Sequence, residues 1–352
     1  MSQTNKPEGR SYQRLLVTGG AGFIGANFVR FVLEARPNIA IINVDCLSYS
    51  GNLENLAGLE DNPRYRFVHA SILERSRMAA LLEEVDAVVH FAAESHVDRS
   101  IMDASPFIQT NIVGTQVLLD ALRSTSTPKR LLHVSTDEVY GALPLEPVSL
   151  KFSETTPIAP NSPYAASKAS SDLLVRAYHE TFGLDACITR CSNNFGPYQF
   201  PEKLIPLFVT NLIEGKKVPL YGSGQNVRDW LHVDDHCEAL LTVLEHGQSG
   251  EVYNIGGNNE RSNVEITHSL LEFMQVGQDA IEHVPDRLGH DLRYAIDAGK
   301  IKRELGWQAT RSAFPQALHD TAQWYIDNPS WWQRIKDGSY RDYYQRQYGQ
   351  RS

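Results

Sequence analysis

Arg14-Leu15-Leu16-Val17-Thr18-Gly19-Gly20-Ala21-Gly22-Phe23-Ile24-Gly25 decides how this chain is read. Its first five residues are a short apolar, β-rich run. Glycines follow at 19, 22 and 25, and residues 26–35 carry a helical pattern. Strand, glycine loop and helix form the context that a dinucleotide-binding turn requires. The three glycines allow a tight turn, close backbone approach to a pyrophosphate and close packing of helix on strand. The helix start then offers free N–H groups and a positive dipole end to phosphate. Alone, such a loop is a weak signal.

The next strand strengthens it. Ile39-Ala40-Ile41-Ile42-Asn43-Val44 is apolar and ends at Asp45. An acidic residue about twenty positions past the glycine loop suits the adenosine ribose hydroxyls. A carboxylate there favours NAD over NADP, whose 2′-phosphate it would repel. Alternation then continues. Arg66-Phe67-Val68-His69 reads as a third strand, 78–84 as a helix, and Asp86-Ala87-Val88-Val89-His90-Phe91 as a fourth strand. Ala92 and Ala93 follow, small enough for a cofactor to lie flat against the backbone. A helix is expected over 106–124, and a fifth strand ends in Ser135-Thr136-Asp137-Glu138. Strands alternating with helices predict an α/β fold with a doubly wound parallel sheet of the Rossmann kind.

In such sheets ligands sit at the carboxyl ends of the strands. Asp137 and Glu138 fall at such an end. Two adjacent carboxylates can serve as acid and base if their surroundings separate their pKa values; read alone, the pair is more simply a solvated turn. In a regular strand they would point to opposite faces. The strand is therefore expected to stop near Ser135, with Thr136, Asp137 and Glu138 on the turn beyond. Tyr164 and Lys168 are four apart and share one face of a helix running to 181. An ammonium and a positively charged nicotinamide would stabilise the phenolate of a tyrosine that normally ionises near pH 10. On spacing alone the two are as readily surface residues.

The remainder is less regular. Ala186-Cys187-Ile188-Thr189-Arg190 is a sixth strand, 235–246 a helix returning to the first domain, and 252–257 its partner strand. Domain boundaries are expected at 14–192 plus 229–257 for the Rossmann domain, and 193–228 plus 258–345 for a smaller, mixed substrate domain. Residues 1–13 read as a disordered leader. Lys203, Arg228, Arg287 and Arg293 are candidate diphosphate ligands, since guanidinium matches phosphate geometry; each is otherwise a solvated surface charge. Trp324, Trp331 and Trp332 are expected to pack a final helix on the core.

The chain has 352 residues, 42% of them hydrophobic and 21% charged, with a formal net charge of −9. That composition is globular, and the acidic balance argues against nucleic-acid binding. No apolar run has transmembrane length. Cys46, Cys187, Cys191 and Cys237 lack CxxC or metal-ligand spacing, which reads as free thiols in a reducing, cytoplasmic setting. No metal site is expected.

The glycine loop with Tyr164-Ala165-Ala166-Ser167-Lys168 resembles the extended short-chain dehydrogenase/reductase superfamily. Within it, Ala92-Ala93-Glu94-Ser95-His96-Val97-Asp98-Arg99-Ser100, Ser135-Thr136-Asp137-Glu138-Val139-Tyr140-Gly141, Arg190-Cys191-Ser192-Asn193-Asn194, Pro201-Glu202-Lys203-Leu204-Ile205-Pro206, Asn226-Val227-Arg228-Asp229-Trp230 and Asp286-Arg287-Leu288-Gly289-His290-Asp291 resemble the dTDP-glucose 4,6-dehydratases. The resemblance implies bound NAD and a redox-neutral elimination of water from dTDP-glucose. Tyr164, supported by Lys168 and Thr136, would oxidise C4 with hydride passing to NAD. Glu138 would remove the C5 proton and protonated Asp137 would release the 6-hydroxyl. It further implies NAD contacts from Gly19, Gly22, Phe23, Ile24, Gly25, Asp45, Ser48, Ser71, Ile72, Ala92, Ala93, Ser95, Thr110, Tyr164, Lys168 and Asn194. Nucleotide-sugar contacts would come from Ser95, Thr136, Asn193, Lys203, Leu204, Pro219, Tyr221, Arg228, Asn263, Arg287, His290 and Arg293. A homodimer through a four-helix bundle of helices 106–124 and 164–181 is implied as well. Two positions depart from the pattern: Ala70-Ser71-Ile72 replaces Gly-Asp-Ile at the adenine, and Ser48 stands where Thr is usual. The alternatives are a UDP-hexose 4-epimerase, another UDP-sugar dehydratase or decarboxylase, or a non-catalytic NAD sensor.

Overall fold

The computed structural model describes residues 9–286 and 289–338. Arg287, positions 1–8 of the expected leader and positions 339–345 of the expected second domain lie outside the described residues. Six strands come first: β1 (Arg14–Thr18), β2 (Ala40–Asp45), β3 (Tyr65–His69), β4 (Ala87–His90), β5 (Arg130–Thr136) and β6 (Ala186–Cys191). Then come β7 (Asn193–Phe195), β8 (Val218–Tyr221), β9 (Val227–His232), β10 (Val252–Ile255), β11 (Glu260–Ser262) and β12 (Ile281–Val284).

Seven strands form one sheet in the order β10-β6-β5-β4-β1-β2-β3, every neighbouring pair parallel. The expected doubly wound fold is therefore present. β5 and β6 are buried at every position, whereas edge strand β3 is not buried anywhere. Continuous burial is what helices on both faces impose on parallel strands. Alternation along β1 divides the core: Leu15 and Val17 join the cluster under helices Phe23–Ala35 and Val233–His246. Leu16 joins the opposite cluster, under Arg75–Leu82, Thr115–Arg123 and Pro163–Phe182.

The helix expected over 106–124 is one run built from Ser105–Phe107, Ile108–Gly114 and Thr115–Arg123, its middle section π-helical. Such a bulge often marks a functional position. β5 runs one residue further than expected, through Thr136, and Asp137–Tyr140 form a 3₁₀ turn. No helix among the described residues is long and apolar enough to cross a membrane.

The smaller lobe holds two short sheets, β11-β9-β7 and β12-β8. Its own core gathers Phe195, Phe208, Trp230, Tyr325 and Trp332. Three expectations need correction here. β9 crosses the expected 228/229 boundary, because its pairing with β7 continues to His232. Residues 258–345 do not stay in the second lobe: Ile301, Leu305 and Trp307 rejoin the core of the large sheet. The leader is in place by Arg10, whose backbone N–H donates to Glu245 O at 2.9 Å, and Tyr12 is buried with its hydroxyl on Leu244 O. The expected final helix is two, Gln316–Asp327 and Pro329–Lys336, with Trp331 and Trp332 buried on the second.

Of the histidines that burial holds below their usual value of 6.5, the fully enclosed ones are His90, well below, His133, to about 4, and His236, to about 3. The unfolded chain therefore binds more protons than the folded one below pH 6.5, and stability must rise with pH across that window. These rings should lower the thermal midpoint by roughly 5 °C between pH 7.5 and 5.5, measured in the Asp137→Asn variant, because the protonated Asp137 carboxyl acts in the opposite sense. A flat midpoint in calorimetry across that window would contradict the burial of these neutral rings.

Candidate active site

Each residue of the glycine loop has a separate geometric duty. Gly19 has φ +74°, and a Cβ there would sit 2.6 Å from Ala92 N. At Gly25 a Cβ would lie 2.3 Å from Gly19 O, so helix and loop touch backbone to backbone. Gly22 meets nothing closer than 3.4 Å; its missing side chain leaves room on the cleft side. Helix Phe23–Ala35 starts there with no side-chain cap and no acidic residue in its first turn. Its first N–H groups are therefore available to an anion.

Asp45 closes this end. Its Oδ2 accepts Ala21 N–H at 2.9 Å and its Oδ1 accepts Leu47 N–H at 2.8 Å. Burial raises its pKa, and those two hydrogen bonds oppose the rise. Ser48, Ser71, Ile72, Ala92, Ala93, Ser95, Thr110 and Asn194 all line the same cleft with Phe23 and Ile24. Ser71 Oγ already accepts Leu73 N–H at 3.2 Å, so toward a ligand it is placed to donate. Space at Gly22, an uncapped helix start, small residues after β4 and a buried carboxylate after β2 together fit NAD.

The reacting end is built on the turn after β5. Thr136 remains extended (φ −134°, ψ 153°), and its Oγ1 accepts Glu138 N–H at 3.3 Å. This bond starts the 3₁₀ turn that Gly141 ends at φ +88°. Two neighbouring carboxylates thereby leave strand alternation, and both line the cleft with Tyr164 and Lys168. Asp137 is 2% exposed, and its Oδ2 has no protein partner. Burial, then Glu138, then Asp229 push its pKa well above the usual range, against Arg228 and Thr136.

Tyr164 does not follow the expectation in full. Burial first, and then Glu138, hold its phenol well above its usual value, opposed by a hydrogen bond with Thr136. Lys168 reaches back to the backbone of β5. Its Nζ donates to Val134 O at 2.8 Å, and burial lowers its own pKa. Within the chain, burial is therefore the main influence that favours the phenol, and Glu138 adds to it.

The nucleotide-sugar candidates divide into two groups. Asn193 and Lys203 line the cleft, the latter with Nζ 3.4 Å from Ser95 O. Leu204 opens helix Leu204–Ile213 directly behind Lys203. Arg228 sits 4.3 Å over the Tyr294 ring, donates to Asp291 O at 2.9 Å and influences Asp137. Pro219, Tyr221, Asn263 and His290 lie beyond the main cleft lining, in the smaller lobe. There Tyr221 and His290 meet edge to face at 6.2 Å, and His290 Nδ1 lies 2.6 Å from Asp286 Oδ1. Asn263 opens the helix Asn263–Phe273. Arg293 is a correction. It is 1% exposed and donates to Glu260 Oε2, Leu150 O and Val148 O. Its guanidinium fastens loop 143–152 inside the protein, which removes it from the diphosphate set.

Sequence reasoning missed several residues that line the cleft or brace its walls. Asn111, in the π-helical section, accepts Glu94 N–H and donates to Glu94 O and Ser167 Oγ, tying the strand-end loop to the Tyr164 helix. Tyr49 and Phe200 meet edge to face at 5.6 Å. Arg99 lies 4.0 Å over Tyr49 and pairs with Glu202 at 2.9 Å. Trp331 lines the cleft and donates to Asn55 Oδ1 at 2.9 Å. Only the bulge at Asn111 has a possible sequence signal, a polar residue at a core-facing helix position.

Comparison with known proteins agrees with this geometry. The family described as GDP-mannose 4,6 dehydratase matches residues 16–321. A dTDP-glucose 4,6-dehydratase of Streptomyces niveus is 50% identical over 327 residues, 92% of this chain and 96% of that protein. One from Xanthomonas campestris pv. campestris is 52% identical over 346 residues, 93% and 97% of the two chains. The dTDP-glucose 4,6-dehydratase of Streptomyces venezuelae, solved with NAD bound, superposes with a TM-score of 0.88 at 53% identity, covering 92% of this chain and 99% of that one.

The glycines can be separated experimentally. Gly22→Ala should keep the wild-type thermal midpoint and lose bound NAD, measured by release on denaturation. Gly25→Ala should lose NAD and also about 1–3 kcal/mol of stability, because its methyl overlaps backbone. Equal behaviour of the two variants would refute this division of duties.

Proposed function

Because this chain belongs to the dTDP-glucose 4,6-dehydratase family, we propose that its cleft converts dTDP-glucose to dTDP-4-keto-6-deoxy-glucose and water. It is an NAD-dependent hydro-lyase. The observation that carries the assignment of roles is the 3₁₀ turn that presents Asp137 and Glu138 to the same cleft as Tyr164. NAD would be held by the glycine loop and helix start at its pyrophosphate, by Asp45 at the adenosine ribose and by Ser48, Ser71 and Ile72 at the adenine. Ala92, Ala93, Ser95, Thr110, Tyr164, Lys168 and Asn194 would hold its nicotinamide half. When bound, it supplies a hydride acceptor for C4 and a positive charge near Tyr164.

The chain's own residues move the protons. Tyr164 takes the 4-hydroxyl proton, with Thr136 hydrogen-bonded to that oxygen and Lys168 behind it. The C4 ketone acidifies the C5–H bond, and Glu138 removes that proton. Asp137, kept neutral by burial and by Glu138, gives its proton to the departing 6-hydroxyl, which leaves as water. Hydride returns to C6 and Glu138 returns a proton to C5, so no net oxidation results. An epimerase needs no acid and base at C5–C6, and a sensor needs none of these groups. Asn193, Lys203, Leu204 and Arg228, with Pro219, Tyr221, Asn263, Arg287 and His290 further out, are the proposed nucleotide-sugar contacts.

The same reading includes a homodimer. Ala166, Ser170, Leu173 and Ala177 form a stripe of small and apolar residues along helix Pro163–Phe182, with Leu173 55% exposed. Ile108 is 47% exposed on the neighbouring helix. A face of this kind fits helix-on-helix pairing into a four-helix bundle. Cys46, Cys187, Cys191 and Cys237 are all free thiols, which supports a cytoplasmic setting.

In D₂O the enzyme should give a 4-keto-6-deoxy product with deuterium at C5 and no net NADH. Unchanged glucose or a galactose epimer would overturn the assignment. Asp137→Asn should still oxidise C4, seen as NADH absorbance, while eliminating water about 10²-fold more slowly or worse; full-rate elimination would exclude Asp137 as the acid. Leu173→Glu should convert a species of two chains into one by light scattering, and a mass that does not change would exclude this face.

A further inference from the structure

Beneath the reacting groups, β4, β5, β6 and helix Pro163–Phe182 enclose ionisable side chains that the proposed reaction does not use. Asp172 lies one helical turn beyond Lys168 and is 1% exposed. Arg190 Nε, from β6, donates to Asp172 Oδ2 at 2.9 Å. His133 Nε2, from β5, faces Asp172 Oδ1 at 3.3 Å. Arg190 NH1 also donates to the Tyr140 hydroxyl at 2.9 Å, and that hydroxyl donates to Asn254 Oδ1 at 2.8 Å. His90, on β4, lies tilted 5.3 Å from His133 and bonds Thr18 and Thr115 through its two nitrogens.

This arrangement bears on Lys168. An ammonium buried in a low-dielectric site is driven to lose its proton unless an opposite charge faces it. Lys168 is 5% exposed. The titratable groups coupled to it are Asp172 on its own helix, Cys191 on β6, His133 on β5 and His90 on β4, with Tyr164 one turn before it on the helix. Both histidines are held below their usual value by burial, and the Cys191 thiol is pushed up to about 12. They are neutral at working pH, and Arg190 is a cation. Asp172 is the anion in this set, and its pKa is lowered despite burial by His133 and Arg190.

We propose that Asp172, fixed by Arg190, is a positioning residue that keeps Lys168 charged and in place behind Tyr164. The proposal rests on the reading of Tyr164 and Lys168 as the proton-transfer pair. Asp172 opposes the effect of burial on Lys168. Removing its charge would leave the Lys168 ammonium and the Arg190 guanidinium buried without that anion. Lys168 would then release its proton at lower pH, and with it the support for a tyrosine acting as base. The alkaline limb of the rate profile would move to lower pH.

The test compares Asp172→Asn, Asp172→Glu and wild type as full chains with bound NAD, measuring kcat and KM for dTDP-glucose against pH, and the thermal midpoint. Asp172→Asn should lower kcat roughly tenfold or more above the wild-type optimum, shift the alkaline limb downward and leave KM nearly unchanged. Asp172→Glu, which keeps the charge, should restore part of the limb. A loss uniform across pH that tracks the thermal midpoint would overturn the proposal in favour of a purely structural role. If Asp172→Asn does not fold, Tyr140→Phe removes one hydrogen bond from Arg190 with little change in shape. It should move the same limb in the same direction by less, and an unmoved limb would overturn the proposal. Failure of the parent reading looks different: wild type would then make no 4-keto-6-deoxy product at any pH.

Discussion

A β-strand sends successive side chains to opposite faces. Two neighbouring carboxylates can reach one sugar only where the strand gives way. Here the change happens within one residue: Thr136 is still extended and Glu138 N–H already turns back onto the Thr136 hydroxyl. The same hydroxyl also reaches toward Asp137 and Tyr164. Strand end, turn and proton-transfer group therefore share one threonine side chain. The sheet supports this geometry by holding β5 buried on both faces, so the turn cannot slide along it.

Burial acts on the site's proton carriers in one direction and is put to several uses. It keeps Asp137 neutral, ready to donate, and makes Tyr164 reluctant to ionise until positive charge is supplied. It strips His90 and His133 of charge, so that they serve as neutral packing beneath the site. Asp172 and Arg190 resist, because each faces the other's charge. The differences among these groups come from what each one faces rather than from how deeply it lies.

The large sheet was legible because parallel strands covered on both sides are written as unbroken apolar runs, and the glycine loop fixes where the first one ends. Asp45, Tyr164, Lys168 and the turn carboxylates were legible for the same reason: each stands at a fixed offset from a regular element. The smaller lobe was not. β7 and β11 are three residues each, too short for periodicity, and their pairing is decided by long-range contacts. Arg293 looked like a phosphate ligand because a charged residue in an irregular stretch is normally exposed, and nothing local announces Glu260 thirty-three positions away. Tyr49, Phe200 and Trp331 reach the cleft from loops or a distant helix, where only the assembled fold gives them neighbours.

The path of the chain between the lobes carries a consequence of its own. It leaves the large sheet after β6, returns through Val233–His246 and β10, leaves again at β11, and returns once more at Ile301, Leu305 and Trp307. Neither lobe is a contiguous segment, so neither can be cut out, swapped or inherited as a unit by one recombination event. Every one of these crossings is also a tether. Opposed walls of the cleft are stitched by several strands of backbone rather than joined at one hinge, and relative motion must be shared among all of them. Such a molecule is suited to keeping one cofactor and one sugar in register through successive proton transfers, and poorly suited to opening wide between them.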